Sequence, residues 1–95
     1  MKYIMLKVEQ GDIDRELPII FPDQFVHEDI FKALVRSTDP SSNLIITGVV
    51  SAGFINSADI RSKCYGESTT LKKKSRGQED DNRIKMMDYF HGIVM

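Results

Sequence analysis

Between Arg61 and Arg76 the chain gathers side chains suited to holding phosphate. Arg61, Lys63, Lys72 and Arg76 bring cationic donors, Ser68, Thr69 and Thr70 bring hydroxyls, and Tyr65 brings a ring that can stack on a base. If residues 60–65 and 68–75 are paired strands, alternate side chains share a face and these groups converge on one surface. Residues 60–76 hold six basic residues against one acid, Glu67, whereas residues 1–59 hold five against nine. Such a local excess, inside a chain of net charge −1, is a sharper pointer to an anionic ligand than the net charge itself. The competing reading of the same residues is a solvated strand face whose lysines guard a sheet edge.

Other chemistry is thinly represented. Cys64 with His27 or His91 offers a thiol and a base, but no third residue to orient them is identifiable, and alternation turns Cys64 inward with Ile60. His27 reads as a helix-surface residue, and His91 falls where the charge of an imidazolium suits a helix end. Neither histidine has metal-ligand spacing, and no nucleophile elbow, phosphate-binding loop or zinc-protease motif is present. Asp12 with Asp14, and Glu28 with Asp29, read as solvated pairs. The expectation is a non-enzymatic protein without cofactor or metal.

The elements that must carry these residues follow from periodicity. Residues 2–8 alternate, with Ile4, Leu6 and Val8 on one face and Tyr3, Met5 and Lys7 opposite, which predicts a strand with one face on the core. A turn at Glu9 to Asp12, where Gly11 can take positive φ, leads into a second strand carrying Ile13, Leu17, Ile19 and Phe21. Pro18 places that strand at an edge or a bulge. Asp23 is the expected N-cap of an amphipathic helix running to Arg36, with Val26, Ile30, Phe31, Leu34 and Val35 inward. After the polar loop Ser37 to Asn43, the stretch Leu44 to Phe54 is apolar on both faces and belongs in the middle of a sheet or under a partner chain. Gly48 and Gly53 mark places where a bulge, a bend or a close backbone approach is tolerated.

Asn56 to Asp59 reads as a turn, Ile60 to Tyr65 as a strand, and Ser68 to Ser75 as a poorly buried last strand. Ser75 and Gln78 fit a capping box, with Glu79, Asp80 and Asp81 favoured in the first turn of a second helix. Its inward stripe is Ile84, Met87 and Phe90 with Met86 alongside, and it ends at Gly92. The apolar tail Ile93 to Met95 is expected to pack on the domain or on a second subunit.

Together these elements predict one α+β domain over residues 1–95, a mostly antiparallel sheet of about five strands in the order β-β-α-β-β-β-α, with both helices on one side. A chain of 95 residues can bury a core unaided. The single cysteine permits no internal disulfide, so the cytoplasm is the expected compartment. No stretch approaches the roughly 18 apolar residues of a spanning helix, and no membrane role is expected.

The segments FPD (Phe21 to Asp23), SAGF (Ser51 to Phe54), CYGESTTL (Cys64 to Leu71) and SRGQEDD (Ser75 to Asp81) resemble a family of short bacterial and phage proteins without an established activity. The resemblance implies a small intracellular or phage-encoded binding protein and carries no catalytic role. Two readings therefore stand side by side. One is a binding module that holds a small phosphorylated ligand, such as a nucleotide, on the basic, hydroxyl-bearing face. The other is a protein–protein module, for example an inhibitor of a host protein, that self-associates or docks through Leu44 to Phe54 and the tail. A homo-oligomer suits both. Nucleic acid is the less expected partner, because only Tyr65 lies in the basic segment and the rest of the chain is acidic.

Overall fold

A computed structural model describes residues 1–38, 44–56, 63–88 and 93–94. Strands β1 (Lys2–Gln10) and β2 (Ile13–Phe21) form a hairpin across Gly11 and Asp12, with Gly11 at φ 62° as its position demands. Then come α1 (His27–Ser37), β3 (Leu44–Ile55), β4 (Cys64–Tyr65), β5 (Glu67–Ser68), β6 (Lys73–Lys74), α2 (Gln78–Asp88) and β7 (Ile93–Val94). The main sheet runs β4-β3-β1-β2-β7, antiparallel throughout except that β7 lies parallel to β2, and β5 pairs with β6 in a separate two-stranded sheet. The α+β class and the mostly antiparallel sheet are as the periodicity predicts. No helix among the described residues is long and apolar enough to cross a membrane.

β1 is the middle strand, and it is buried on both faces rather than one. Ile4, Leu6 and Val8 join Ile19, Phe21, Ala52 and Ile30 in a first core, while Tyr3 and Met5 join Ile55, Cys64 and Ile84 in a second. Since neighbouring residues of a strand point to opposite faces, the two cores lie on opposite sides of the sheet. Ile30, Phe31 and Leu34 bring α1 to the first, and Ile84 brings α2 to the second. The helices therefore cover opposite faces, against the expectation that they share one. The sequence concealed this because the second helix has few apolar residues and meets the sheet through Asp80 and Asp81 as well as through Ile84.

β3 reconciles an apolar run with an alternating sheet by means of two bulges. Met5 pairs with Ser51 but Leu6 with Val49, and Lys7 pairs with Gly48 but Val8 with Ile46, so Val50 and Thr47 are extra residues. The insertions keep Leu44, Ile46, Val49 and Ala52 on the first core. Val50 packs on the second core, and the Thr47 hydroxyl donates to the Lys7 carbonyl at 3.1 Å. Gly48 flanks one bulge. At Gly53 a Cβ would strike the Tyr65 carbonyl, so only glycine lets β4 approach there.

Several local expectations are corrected. Asp23 does not cap α1: its carboxylate meets the N-terminal ammonium at 3.1 Å, a turn from Pro22 to Phe25 intervenes, and the helix opens at His27 behind Val26, which cannot cap. Ile13 lies near the turn, beyond the reach of the core, and is 62% exposed. His27 is buried, not on the helix surface. Ser68 to Ser75 is not one strand but a four-residue turn between β5 and β6, with Lys72 at φ 56° and Leu71 folded back onto the first core. With a single large apolar side chain, that stretch has nothing to hold a long strand in register. The tail pairs through Ile93 and Val94 with Ile19 and Ile20 of its own sheet. The turn at 57–59, Ile60, Arg61, His91 and the end of the second helix lie outside the described residues.

Candidate functional site

The segment from β4 to α2 wraps the end of β3, and two kinds of polar group separate along it. The first kind is used inside the molecule. Ser68, buried, accepts a hydrogen bond from the Leu71 amide at 3.2 Å and sits 3.3 Å from the Thr70 hydroxyl. The Thr70 oxygen in turn accepts the Glu28 amide at 3.3 Å. Glu28 is the second residue of α1, so Thr70 fills from a distant loop the capping position that Val26 leaves empty.

Arg76 is likewise committed. Its guanidinium donates to Asp80 at 2.8 Å, pairs with Glu16 and lies 3.5 Å from Glu79, while Arg83 meets Glu16 at 3.1 Å. Asp80, with no exposed surface, is the centre of this arrangement. Its two oxygens accept from the Tyr3 hydroxyl, the Ser51 hydroxyl at 3.0 Å, and the Arg76 amide and Nε, each at 2.8 Å. Tyr3 has one hydroxyl hydrogen and gives it to the carboxylate, so Ser75, 2.8 Å away, donates to the Tyr3 oxygen and accepts the Gly77 amide at 3.0 Å. Burial pushes Asp80 up, but these four donors outweigh it and hold its pKa below the ordinary carboxylate value. Burial, then the bond to Asp80, raises Tyr3 well above a normal phenol. For Arg76 burial pulls the other way, yet the bonds to Glu16 and Asp80 raise its pKa further.

The capping box expected of Ser75 and Gln78 does not form. Gln78 turns to Asn82 at 3.0 Å, and the acid that reaches back to an amide before the helix is Asp80. Beside it Asp81, also buried, accepts the Cys64 amide at 2.5 Å and ties β4 to α2.

The second kind of group faces outward. Tyr65 is 50% exposed and stacks on Phe54, centroids 5.8 Å apart with planes at 26°. Phe54 meets His27 edge-on at 5.8 Å, and His27 meets Phe21 edge-on at 5.5 Å, so a file of rings runs from the core to the surface. His27 Nε2 lies 2.8 Å from the Gly53 carbonyl, which can only accept, so the proton sits on Nε2. Burial, offset in part by that bond, lowers its pKa. Lys2 lies over the Phe54 ring at 6.0 Å and donates to the Phe25 carbonyl at 2.8 Å. In the segment that carries Tyr65, the side chains of Lys63, Thr69, Lys72, Lys73 and Lys74 are exposed, and the pairing of Glu67 with Lys74 brings β6 back beside the second residue after Tyr65. Among the described residues no carboxylate forms an ion pair with any of the four lysines.

Of the eight residues singled out by sequence, Lys63, Tyr65, Thr69 and Lys72 are exposed. Ser68, Thr70 and Arg76 are turned to internal bonds, and Arg61 lies outside the described residues. Phe54 and Lys2 are the members that sequence reasoning missed. They arrive through the pairing of Lys2 with Phe54 across β1 and β3, which leaves no signal in spacing. The two side chains with nucleophile or base chemistry, Cys64 and His27, are both buried, and burial together with Asp81 raises the Cys64 thiol. No three His, Cys, Asp or Glu residues among those described gather to hold a metal ion. No family model, curated protein or solved structure matches the chain.

Proposed function

We propose that the protein is a non-enzymatic binding module that takes an anionic partner on the surface formed by Tyr65, Lys63 and the β5–β6 hairpin. One observation carries this reading: an exposed tyrosine ring, braced from behind by Phe54, belongs to a short segment with four exposed lysines, none of which forms an ion pair with a carboxylate among the described residues. A lysine without a partner keeps its hydrated charge available, whereas Arg76, with three carboxylates around it, does not. The partner is thus met on an open surface and not in a pocket of arginine and hydroxyls. With Cys64 and His27 buried, the surface offers recognition groups without the thiol and imidazole of the chain's described residues. A cytoplasmic location goes with this reading, since the one cysteine is free and buried.

Native mass spectrometry and calorimetry with nucleotides, oligonucleotides and polyglutamate test it. Anion binding that disappears in Tyr65→Ala and in the triple substitution of Lys72, Lys73 and Lys74 by alanine is the expected result. Undiminished binding in both variants assigns the ligand to another part of the molecule.

A further inference from the structure

Resting on that reading, we infer that the partner is single-stranded nucleic acid, its unpaired bases stacking on Tyr65 and its phosphates following the lysines of the β5–β6 hairpin. Stacking needs a base whose face is open, and Tyr65 has one ring face backed by Phe54 while half of the residue remains open to solvent. A duplex hides those faces. Lys73 and Lys74 are adjacent in β6 and so point to opposite faces, which does not suit closure on one mononucleotide. The groups able to close around one phosphate, Ser68, Thr70 and Arg76, already have partners, while Lys72, Lys73 and Lys74 succeed one another along an exposed turn and strand. Charges strung out in this way suit a chain of phosphates, each neutralised by a separate contact.

Lys72 adds weight to the assignment. It holds φ 56°, where glycine or asparagine is the unstrained choice, so a side chain is kept where the turn enters β6 at a conformational cost.

Most acids among the described residues do not oppose such a partner once the fold is known, Asp29, exposed in the first turn of α1 beside the Glu28–Thr70 contact, being the exception. Glu16, Glu79 and Asp80 face Arg76, Asp81 is buried against β4, Asp23 pairs with the N-terminus and Glu28 with Lys32. Glu9, Asp12 and Asp14 sit at or beside the β1–β2 turn, at the far end of β1 from Lys2, about 23 Å for the seven residue steps to Glu9. Glu67, which stands opposite Lys74 in the strand register without an ion pair to it, is the exposed acid within the hairpin, one against its three lysines.

The decisive measurement is fluorescence anisotropy with a labelled oligothymidylate, competed by thymidine monophosphate, by the corresponding duplex and by polyglutamate. The single strand is expected to bind best, with an affinity that falls about 20- to 50-fold between about 50 and about 200 mM salt if three or four phosphates are neutralised. Tyr65→Ala is expected to weaken binding about 5- to 150-fold. Each lysine-to-alanine change should flatten the salt slope by about 0.7. Because Lys72, Lys73 and Lys74 are exposed and unpaired, their variants stay folded by circular dichroism and keep the test valid even if Tyr65→Ala loosens the Phe54 contact. Monophosphate binding as tight as the oligonucleotide, or tighter binding of the duplex or of polyglutamate, overturns the inference and leaves an anion-binding module standing. No binding of any probe overturns both.

Discussion

The two faces of the sheet are held by different physics. On the α1 face, Ile4, Leu6, Val8, Ile19, Phe21, Ala52 and Ile30 exclude water without a charged group. On the α2 face, a carboxylate with no exposed surface ties Tyr3 of β1, Ser51 of β3 and Arg76 before α2, and Arg76 and Arg83 tie Glu16 of β2. Dispersion and desolvation are non-directional, so the first face tolerates exchanges that keep its volume. The second depends on every donor being in place, since a buried charge deprived of a partner costs more than the intact pair contributes. Charge of one kind is thus spent on architecture within a few residues of charge that is left free. Lys72 to Lys74 and Arg76 are four basic residues in five positions, and only the last is taken up by the fold.

The contrast is broken most directly at its centre. Asp80→Ala withdraws the buried acceptor from Tyr3, Ser51 and the Arg76 amide and Nε, and is expected to cost about 3–5 kcal/mol in urea denaturation, against about 0.5–1.5 kcal/mol for Ile4→Val on the opposite face. Equal losses would mean that the two faces do not differ as described. Tyr3→Phe removes one of the four donors and should cost about 1–3 kcal/mol. A thermal scan showing no change would place the weight of the arrangement on Ser51 and Arg76.

Acidity separates the faces without mutation. His27 binds its proton less readily when folded than its ordinary value of 6.5, so the unfolded chain takes up more protons below that pH and stability begins to fall there. Asp80 is depressed in the same sense from 3.8, so its contribution is intact above that value and is lost as pH drops through the lower folded pKa. Two successive declines are expected in stability against pH, and His27→Gln should abolish the upper one alone. A single decline at the carboxylate range would contradict the assignment for His27. Thr70→Val withdraws the acceptor from the Glu28 amide and should cost about 1 kcal/mol. Lys73→Ala and Lys74→Ala should shift the unfolding midpoint by no more than about 0.5 kcal/mol allows. A larger drop would show that the hairpin lysines serve the fold after all.

Legibility followed the same division. The alternation of Ile4, Leu6 and Val8 and the helical recurrence of Ile30, Phe31 and Leu34 were readable because a non-directional force acts on a periodic pattern. Cys64 reads as a small buried side chain by the same logic and is one. Asp80 was not readable as a buried centre. Its partners Tyr3 and Ser51 lie 77 and 29 residues away, and an acid in the first turn of a helix is adequately explained by the dipole alone. His27 was misplaced because an imidazole in the first helical turn satisfies either environment, and the carbonyl that takes its proton belongs to β3. The candidate surface was half legible. Lys63, Tyr65, Thr69 and Lys72 stood out by type, but which hydroxyls and which arginine the fold would claim for itself depended on contacts that no local pattern records.

The bulged strand has a consequence for the chain outside its native state. From Leu44 to Ile55 there is neither a charge nor a proline, and its first seven residues, LIITGVV, have the composition of a segment that stacks readily into cross-β fibrils. In the folded protein the insertions at Thr47 and Val50 bend and twist that strand, which makes its outer edge a poor template for another copy. Once unfolded, the segment loses that protection. Weakening the polar face therefore acts on solubility as well as on stability, because each molecule that opens exposes the most aggregation-prone stretch of the chain.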